Sequence, residues 1–347
     1  MDFAIALWLS QDAVTNGAIY ALLALALVIV YTVTRVILVP QGEFITYAAL
    51  SLATLQAGRV PGTVYLLIIA GLAVIVLDAP ALARRKAWGG FMASVGWNAL
   101  LPLLVAGSAW LSASRPDDLA VGVLVTLAIV TPMGAMLYRL AFAPLANASV
   151  LVLLIVAVAA HYLMTGFGLI FFGGEGLRTR PFSDLQFQLG ILNITGQSIV
   201  IVAASVILVV MLAALFGRTV YGKALRATAI NRVGARLVGI SIQFAGRLSF
   251  ALAALIGAAS GILISPITTL YYDTGFLISL KGFVGAIIGG MTSYPLAAIG
   301  SLLVGFLESY SSFWASAFKD SIVFTLIIPV LLWRSLTTQR TEEDEEI

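Results

Sequence analysis

Cysteine is absent from this 347-residue chain, which excludes disulfides, thiolate metal sites and cysteine nucleophiles. Histidine occurs once, at His161, so no histidine-based triad pairing is evident. Charge is scarce: Asp, Glu, Lys and Arg make up 10% of the chain, against about 25% in a typical soluble domain. A water-facing surface needs charged residues, and this chain has too few to clothe one of its size. Neither the phosphate-cradling pattern G-x-x-x-x-G-K-[ST] nor the metalloprotease pattern H-E-x-x-H occurs. Few charged pairs are offered within apolar stretches, and Arg-rich spans of the voltage-sensor kind are missing. Any energy for work must therefore come from elsewhere. The start, Met-Asp-Phe-Ala, lacks the basic region of a cleavable signal peptide, so the first apolar stretch is expected to be a retained transmembrane helix.

What is present is apolar. Hydrophobic residues make up 61% of the chain, and mean hydropathy is +1.06. A span needs about 20 mostly apolar residues. Such stretches fall at 12–33, 36–57, 62–79, 91–111, 119–138, 148–171, 196–217, 243–264, 275–291, 295–315 and 320–334, with 275–291 a candidate for a re-entrant or broken segment. The expected fold is an all-α integral membrane protein of about 10–11 transmembrane helices, some broken, with short cytoplasmic helices. The net charge of +3 sits in clumps: Arg84-Arg85-Lys86, Arg139, and the run from Arg218 to Arg247. Even numbers of spans separate these clumps, so the positive-inside rule puts all three in the cytoplasm. The loops at 112–118 and 172–195 and the N-terminus then face the periplasm, and the C-terminus is cytoplasmic. Clumped basic residues on so apolar a chain speak for membrane orientation rather than for nucleic acid. Residues 1–336 read as one membrane domain, followed by a solvated acidic tail at 337–347.

The segment 218–242 is too polar to span, lacks proline and reads as helix. Ala227, Ile230, Ala235 and Val238 form a candidate apolar stripe, with a break expected near Gly234 or Gly239. One reading is a rigid lever driven by a separate ATPase; the other is a basic loop that sets topology or touches anionic lipid. Val39-Pro40-Gln41-Gly42-Glu43 places backbone breakers and an ionisable group early in an apolar stretch. An intramembrane carboxylate is a functional candidate, while a helix-start carboxylate suits the helix dipole. Gly257-Ala-Ala-Ser-Gly261 and Gly285-Ala-Ile-Ile-Gly289-Gly290 carry the small-residue spacing that lets helices approach closely. His161 has no carboxylate at helical spacing and reads as a packed or hydrogen-bonded histidine. Lys319 and Asp320 read as the end of a helix.

Four separated blocks resemble the permeases of branched-chain amino acid ABC importers. Thr15-Asn16-Gly17-Ala18-Ile19-Tyr20-Ala21-Leu22 resembles that family's N-G-…-Y-A-L start, and Val39–Glu43 occupies the place of its N-F-A-H-G-E motif. Gly222-Lys-Ala-Leu-Arg226-Ala227, continuing to Ala235-Arg-Leu-Val-Gly239-Ile240, is similar to its coupling segment. Lys281 to Pro295, with Glu308 to Asp320 beyond it, is similar to its K-A-F-…-G-G-x-G-S-x-P block. Of the N-F-A-H-G-E motif only Gly42 and Glu43 stand, and Asn231 and Arg232 replace an acidic pair. Residues 80–120 look like an insertion that adds two spans.

The resemblance implies a permease subunit of an importer for a branched-chain amino acid or a related amide or organic acid. It implies a second permease subunit (a different chain), two cytoplasmic ABC ATPases and a periplasmic substrate-binding protein, in a bacterial inner membrane. It assigns ATPase coupling to Gly222, Arg226, Ala227, Asn231, Arg232, Ala235 and Gly239, and the substrate path to Asn16, Gln41, Gly42 and Glu43. No catalytic residue, metal or cofactor is expected. The alternative is a secondary transporter or channel; a membrane enzyme would need a cluster of catalytic polar residues at one face, which the sequence does not offer.

Overall fold

The computed structural model describes residues 2–84, 92, 94–189 and 192–337. The chain opens with α1 (Phe3–Thr34), α2 (Gln41–Gln56) and α3 (Thr63–Arg84). A π-helical turn, Gly96–Leu100, leads into α4 (Leu101–Ala113), followed by α5 (Leu119–Leu137) and α6 (Val150–Phe172). A short antiparallel hairpin, β1 (Gln186–Leu189) and β2 (Leu192–Thr195), precedes α7 (Gly196–Arg218). Two short helices, α8 (Val220–Ile230) and α9 (Arg232–Leu237), connect to α10 (Ile242–Ile264). The chain continues through α11 (Thr274–Ile288), α12 (Tyr294–Trp314), α13 (Lys319–Thr325) and α14 (Ile327–Thr337).

Among the described residues, helix occupies each of the eleven predicted stretches, and eight helical segments are long and apolar enough to cross a membrane. The other three are shorter: α2 has 16 residues, α4 13 and α11 15. At 1.5 Å per residue a 16-residue helix reaches about 24 Å, short of a ~30 Å hydrocarbon core. The segment 275–291 is one short, unbroken helix that ends at Ile288, before Gly290 and Met291 both take positive φ. The stretch 320–334 is divided, at Leu326 between α13 and α14.

Two expectations need correction. The first helix begins at Phe3 rather than residue 12, because its polar side chains are satisfied within the helix: Ser10 donates to the Ala6 carbonyl at 2.8 Å and Thr15 to that of Gln11 at 2.9 Å. The loop 172–195 contains a hairpin, in which the alternation of Gln186-Phe-Gln-Leu and Leu192-Asn-Ile-Thr pairs Gln186 with Thr195 and Leu189 with Leu192. Arg85, Lys86 and the acidic tail from 338 onward lie outside the described residues, as does part of the expected insertion at 80–120.

The centre of the fold is α2. Phe44, Ile45, Tyr47, Leu50 and Leu52 are fully buried, and so are its polar Gln41, Glu43, Thr46 and Ser51. Helices α5, α6, α10 and α11 pack around it. In a bilayer, lipid tails are as apolar as leucine, so helices associate through close packing and cross-helix hydrogen bonds rather than hydrophobic expulsion. Glycine supplies the close packing here. A Cβ on Gly261 of α10 would collide with the Ile45 carbonyl, and one on Gly42 would lie 2.6 Å from the Gly275 carbonyl of α11. The Gly257–Gly261 pair thus does the packing work that its spacing predicted.

Gly261→Val should therefore push α10 off α2 and destabilise the fold by about 1–3 kcal/mol, the usual range for overpacking. Gly166→Ala, where a Cβ meets nothing within 4 Å, should leave thermal unfolding in detergent unchanged or slightly raised. Equal unfolding temperatures for the two variants would contradict the packing account.

Candidate functional site

The first polar cluster forms where α1 hands over to α2. Arg35, with φ 61°, ends α1 by donating its N–H to the Tyr31 carbonyl. A turn through Leu38 and Pro40 then starts α2, so that Gln41, Gly42 and Glu43 form a first helical turn inside the protein. Gln41 donates through Nε2 to the Ala253 carbonyl of α10 at 3.1 Å. Glu43 accepts at Oε1 from Thr165 Oγ1 at 3.1 Å, and His161 Nδ1 lies 2.6 Å from the same oxygen, off the hydrogen-bond line. The His161 ring packs on Phe276 with centroids 4.4 Å apart. One turn further, Thr46 accepts from the Gly275 N–H at 3.0 Å, and Tyr47 donates to the Met164 carbonyl at 2.6 Å.

Two acceptors stay open. Gln41 Oε1 and Glu43 Oε2 are buried and have no hydrogen-bond partner among the described residues. An unpaired buried polar atom costs about 1–3 kcal/mol, so each marks a place where a further donor is wanted. Glu43 sits in the first turn of α2 and is also 1% exposed, which combines the helix-start and the intramembrane readings in one residue. Asn16 is half-buried on α1, and no hydrogen bond ties it to Gln41, Gly42 or Glu43.

A second cluster joins α1, α11, α12 and α13. Lys281 Nζ donates to Glu308 Oε1 at 2.5 Å, and Tyr20 donates to Glu308 Oε2 at 2.5 Å. Asp320, part-exposed in the first turn of α13, lies 3.1 Å from Lys281 Nζ. Burying an ion is costly unless it is paired and hydrogen-bonded, and here one carboxylate holds both a cation and a phenol. These pairs correct the sequence expectation of few charged pairs within spans. Glu43–His161 and Lys281–Glu308 were missed because a search at helical spacing sees one helix, whereas the partners are 118 and 27 residues apart. The only sequence-level hint was Thr165, one turn after His161 on the face that meets Glu43.

The segment 218–242 is organised by its caps. Thr219 accepts from the Gly222 N–H at 3.0 Å to start α8, and Ser241 caps α10. The break between the short helices falls at Asn231, not Gly234: its side chain accepts from the Gly234 N–H at 2.8 Å and starts α9 in place of continuing α8. Gly239, with φ 86°, closes α9. Gly222 has no room for a Cβ against Leu215 and Phe216, and Arg226 donates to the Phe216 carbonyl at 3.0 Å. Arg232 donates twice to the Val33 carbonyl at the end of α1, at 3.2 and 2.8 Å. Partial burial, with Arg35 nearby, pulls the Arg232 guanidinium below its ordinary pKa. The apolar stripe is arranged differently from the sequence reading. Ala235 is buried within the chain and Ala227 half-buried, while Ile230, Val233, Leu237 and Val238 are each at least 69% exposed.

Comparison with known proteins bears on the chain as a whole. The family described as branched-chain amino acid transport system / permease component matches residues 11–331. The high-affinity branched-chain amino acid transport system permease protein LivH of Escherichia coli K12 is 26% identical over 329 residues, 92% of this chain and 91% of that protein. The corresponding protein BraD of Pseudomonas aeruginosa is 32% identical over 136 residues, 37% of this chain and 44% of its own length. A probable branched-chain amino acid transport permease protein of Methanocaldococcus jannaschii is 26% identical over 192 residues, 54% of this chain and 61% of its own length. No solved structure matches the chain. Since the family match runs from α1 to α14, through both polar clusters and the capped segment between them, this chain belongs to the branched-chain amino acid transport permease family and is a multi-pass transport subunit rather than an enzyme.

Proposed function

We propose that this chain is one permease half of an ABC importer in the inner membrane, carrying a small amphipathic solute such as a branched-chain amino acid into the cytoplasm. The observation that carries the reading is the exposed row Ile230, Val233, Leu237 and Val238 on two capped helices. Apolar side chains held rigidly in a segment too polar to span are what a docking contact with a soluble ATPase requires. Arg232 fastens that segment to Val33, eight residues before Gln41, so displacement of α9 bears on the chain that enters α2. The relatives' names supply the solute class; the open acceptors at Gln41 and Glu43 suit the ammonium group of an amino acid. A second permease, two cytoplasmic ATPases and a periplasmic binding protein complete the assembly, with the C-terminus cytoplasmic.

The roles assigned from sequence divide accordingly. Gly222, Arg226, Asn231, Arg232, Ala235 and Gly239 shape and anchor the lever, and Ala227 lies half-buried along it. The contact itself is made by their exposed neighbours. Gln41, Gly42 and Glu43 lie on the path, with His161 and Thr165 positioning the Glu43 carboxylate.

The buried pairs Glu43–His161 and Lys281–Glu308 are what a gradient-driven carrier would also need. Reconstitution separates the readings. The purified chain alone in liposomes should show no uptake under an ion or proton gradient, and uptake should appear only with the second permease, ATPase, binding protein and ATP; gradient-driven uptake by the single chain would establish the carrier.

Leu237→Glu should leave folding unchanged and lower uptake and binding-protein-stimulated ATP hydrolysis by tenfold or more, about 1.4 kcal/mol of lost contact; wild-type values for both would remove α9 from the docking surface. Glu43→Gln should lower uptake about tenfold while ATPase assembly stays intact, and wild-type uptake kinetics would leave Glu43 a helix-start carboxylate only.

A further inference from the structure

A cavity of about 860 Å³ lies between α3, the π-turn before α4, α5 and α10, away from both polar clusters. Its charged lining is Asp78, Arg139 and Arg247. Arg139 pairs with Asp78 Oδ1, through Nε at 2.9 Å and through Nη2. The other carboxylate oxygen of Asp78 accepts from Ser94 at 3.2 Å. Asp78 is thereby taken. Arg247 makes no hydrogen bond or salt bridge among the described residues, and its buried Nε has no hydrogen-bond partner there. Thr131 Oγ1, also in the lining, is buried and unpartnered in the same sense. Among the described residues, two guanidiniums thus face one carboxylate.

The rest of the wall is apolar. Trp97, Leu101, Met136, Phe244 and Leu248 line the cavity, and Trp97 is 70% exposed on the outer face of the protein. Leu100, Leu103 and Leu104 beside it are exposed too, so the cavity mouth opens onto a surface that only lipid suits. An occupant must present an anion to Arg247 and hydrocarbon to Trp97 and Phe244.

We propose that this cavity is a binding site for an anionic phospholipid of the leaflet on the basic side, its phosphate held by Arg247 and Thr131 and its acyl chain laid along Trp97. Basic pockets between transmembrane helices take such head groups, and a half-buried guanidinium whose buried Nε lacks a partner is costly until an anion reaches it. The outer wall, Ser94 to Leu101, comes from the 80–120 stretch, so that stretch builds the site rather than merely adding helix.

The test is thermal unfolding of the purified full chain in detergent with phosphatidylglycerol, with phosphatidylcholine of the same acyl chains, and with inorganic phosphate. Native mass spectrometry counts the bound lipids. Phosphatidylglycerol should raise the unfolding temperature and stay bound, while the other two should not. Arg247→Gln should abolish that shift and reduce bound phosphatidylglycerol about tenfold without lowering the unfolding temperature of the lipid-free chain; Trp97→Ala should reduce it partly. If Arg247→Gln fails to fold, Arg247→Lys should retain the lipid shift and Thr131→Val should diminish it. An equal shift with phosphatidylcholine, a full shift with phosphate alone, or an undiminished shift in Arg247→Gln or in Thr131→Val would overturn the proposal.

Discussion

The close passage of bare backbone past bare backbone around α2 is the constraint on which the rest of the structure depends. Without hydrophobic expulsion to drive helices together in lipid, a central helix must be gripped by contact and by hydrogen bonds. Gly261 lets α10 rest on the Ile45 carbonyl, and Gly42 meets Gly275 of α11 with the Thr46 hydroxyl closing the gap. That grip places the first turn of α2 inside the protein. It is also why a glutamate there is hydrogen-bonded by a threonine of α6, lies against a histidine of the same helix and is shielded from lipid.

The same grip explains how a distant segment can bear on the site. Arg232 clasps the last turn of α1, and only the short turn from Arg35 to Pro40 separates it from Gln41. Under the proposed function, a load on α9 would be carried by hydrogen bonds and a proline-containing connection into a helix that has little room to deform. Lys281, Glu308 and Tyr20 pin α1, α11 and α12 to one another. Gly285 and Gly289 do for α11 and α12 what Gly261 does for α10 and α2.

Much of this was legible in the residues. Apolar stretches located every helix that crosses or enters the membrane, because a bilayer makes hydrophobicity the dominant signal. Gly257 and Gly261 announced a close contact, and Glu43 announced a buried ion. What the sequence hid was whatever lies between helices. His161 seemed to lack a carboxylate because its partner belongs to another helix. The lever breaks at Asn231 because a side-chain cap outcompetes one more turn of α8, an effect that a glycine-based reading overlooks. Ala235, assigned to coupling from the sequence, is buried within the chain at 3% exposure, since a helix of six residues turns only one side outward. Leu237 and Val233 inherit the outward face.

The claim that this chain is a driven permease, moved through α9, is tested most directly by cross-linking in the assembled transporter. The absence of cysteine allows one to be placed at Leu237 without a competing thiol. In membranes containing the co-expressed ATPase with its own single engineered cysteine, Leu237→Cys should form an interchain disulfide whose yield changes when ATP is added. A cysteine at the inward Ala235 should not. No cross-link from Leu237→Cys in a complex that still transports would contradict the account.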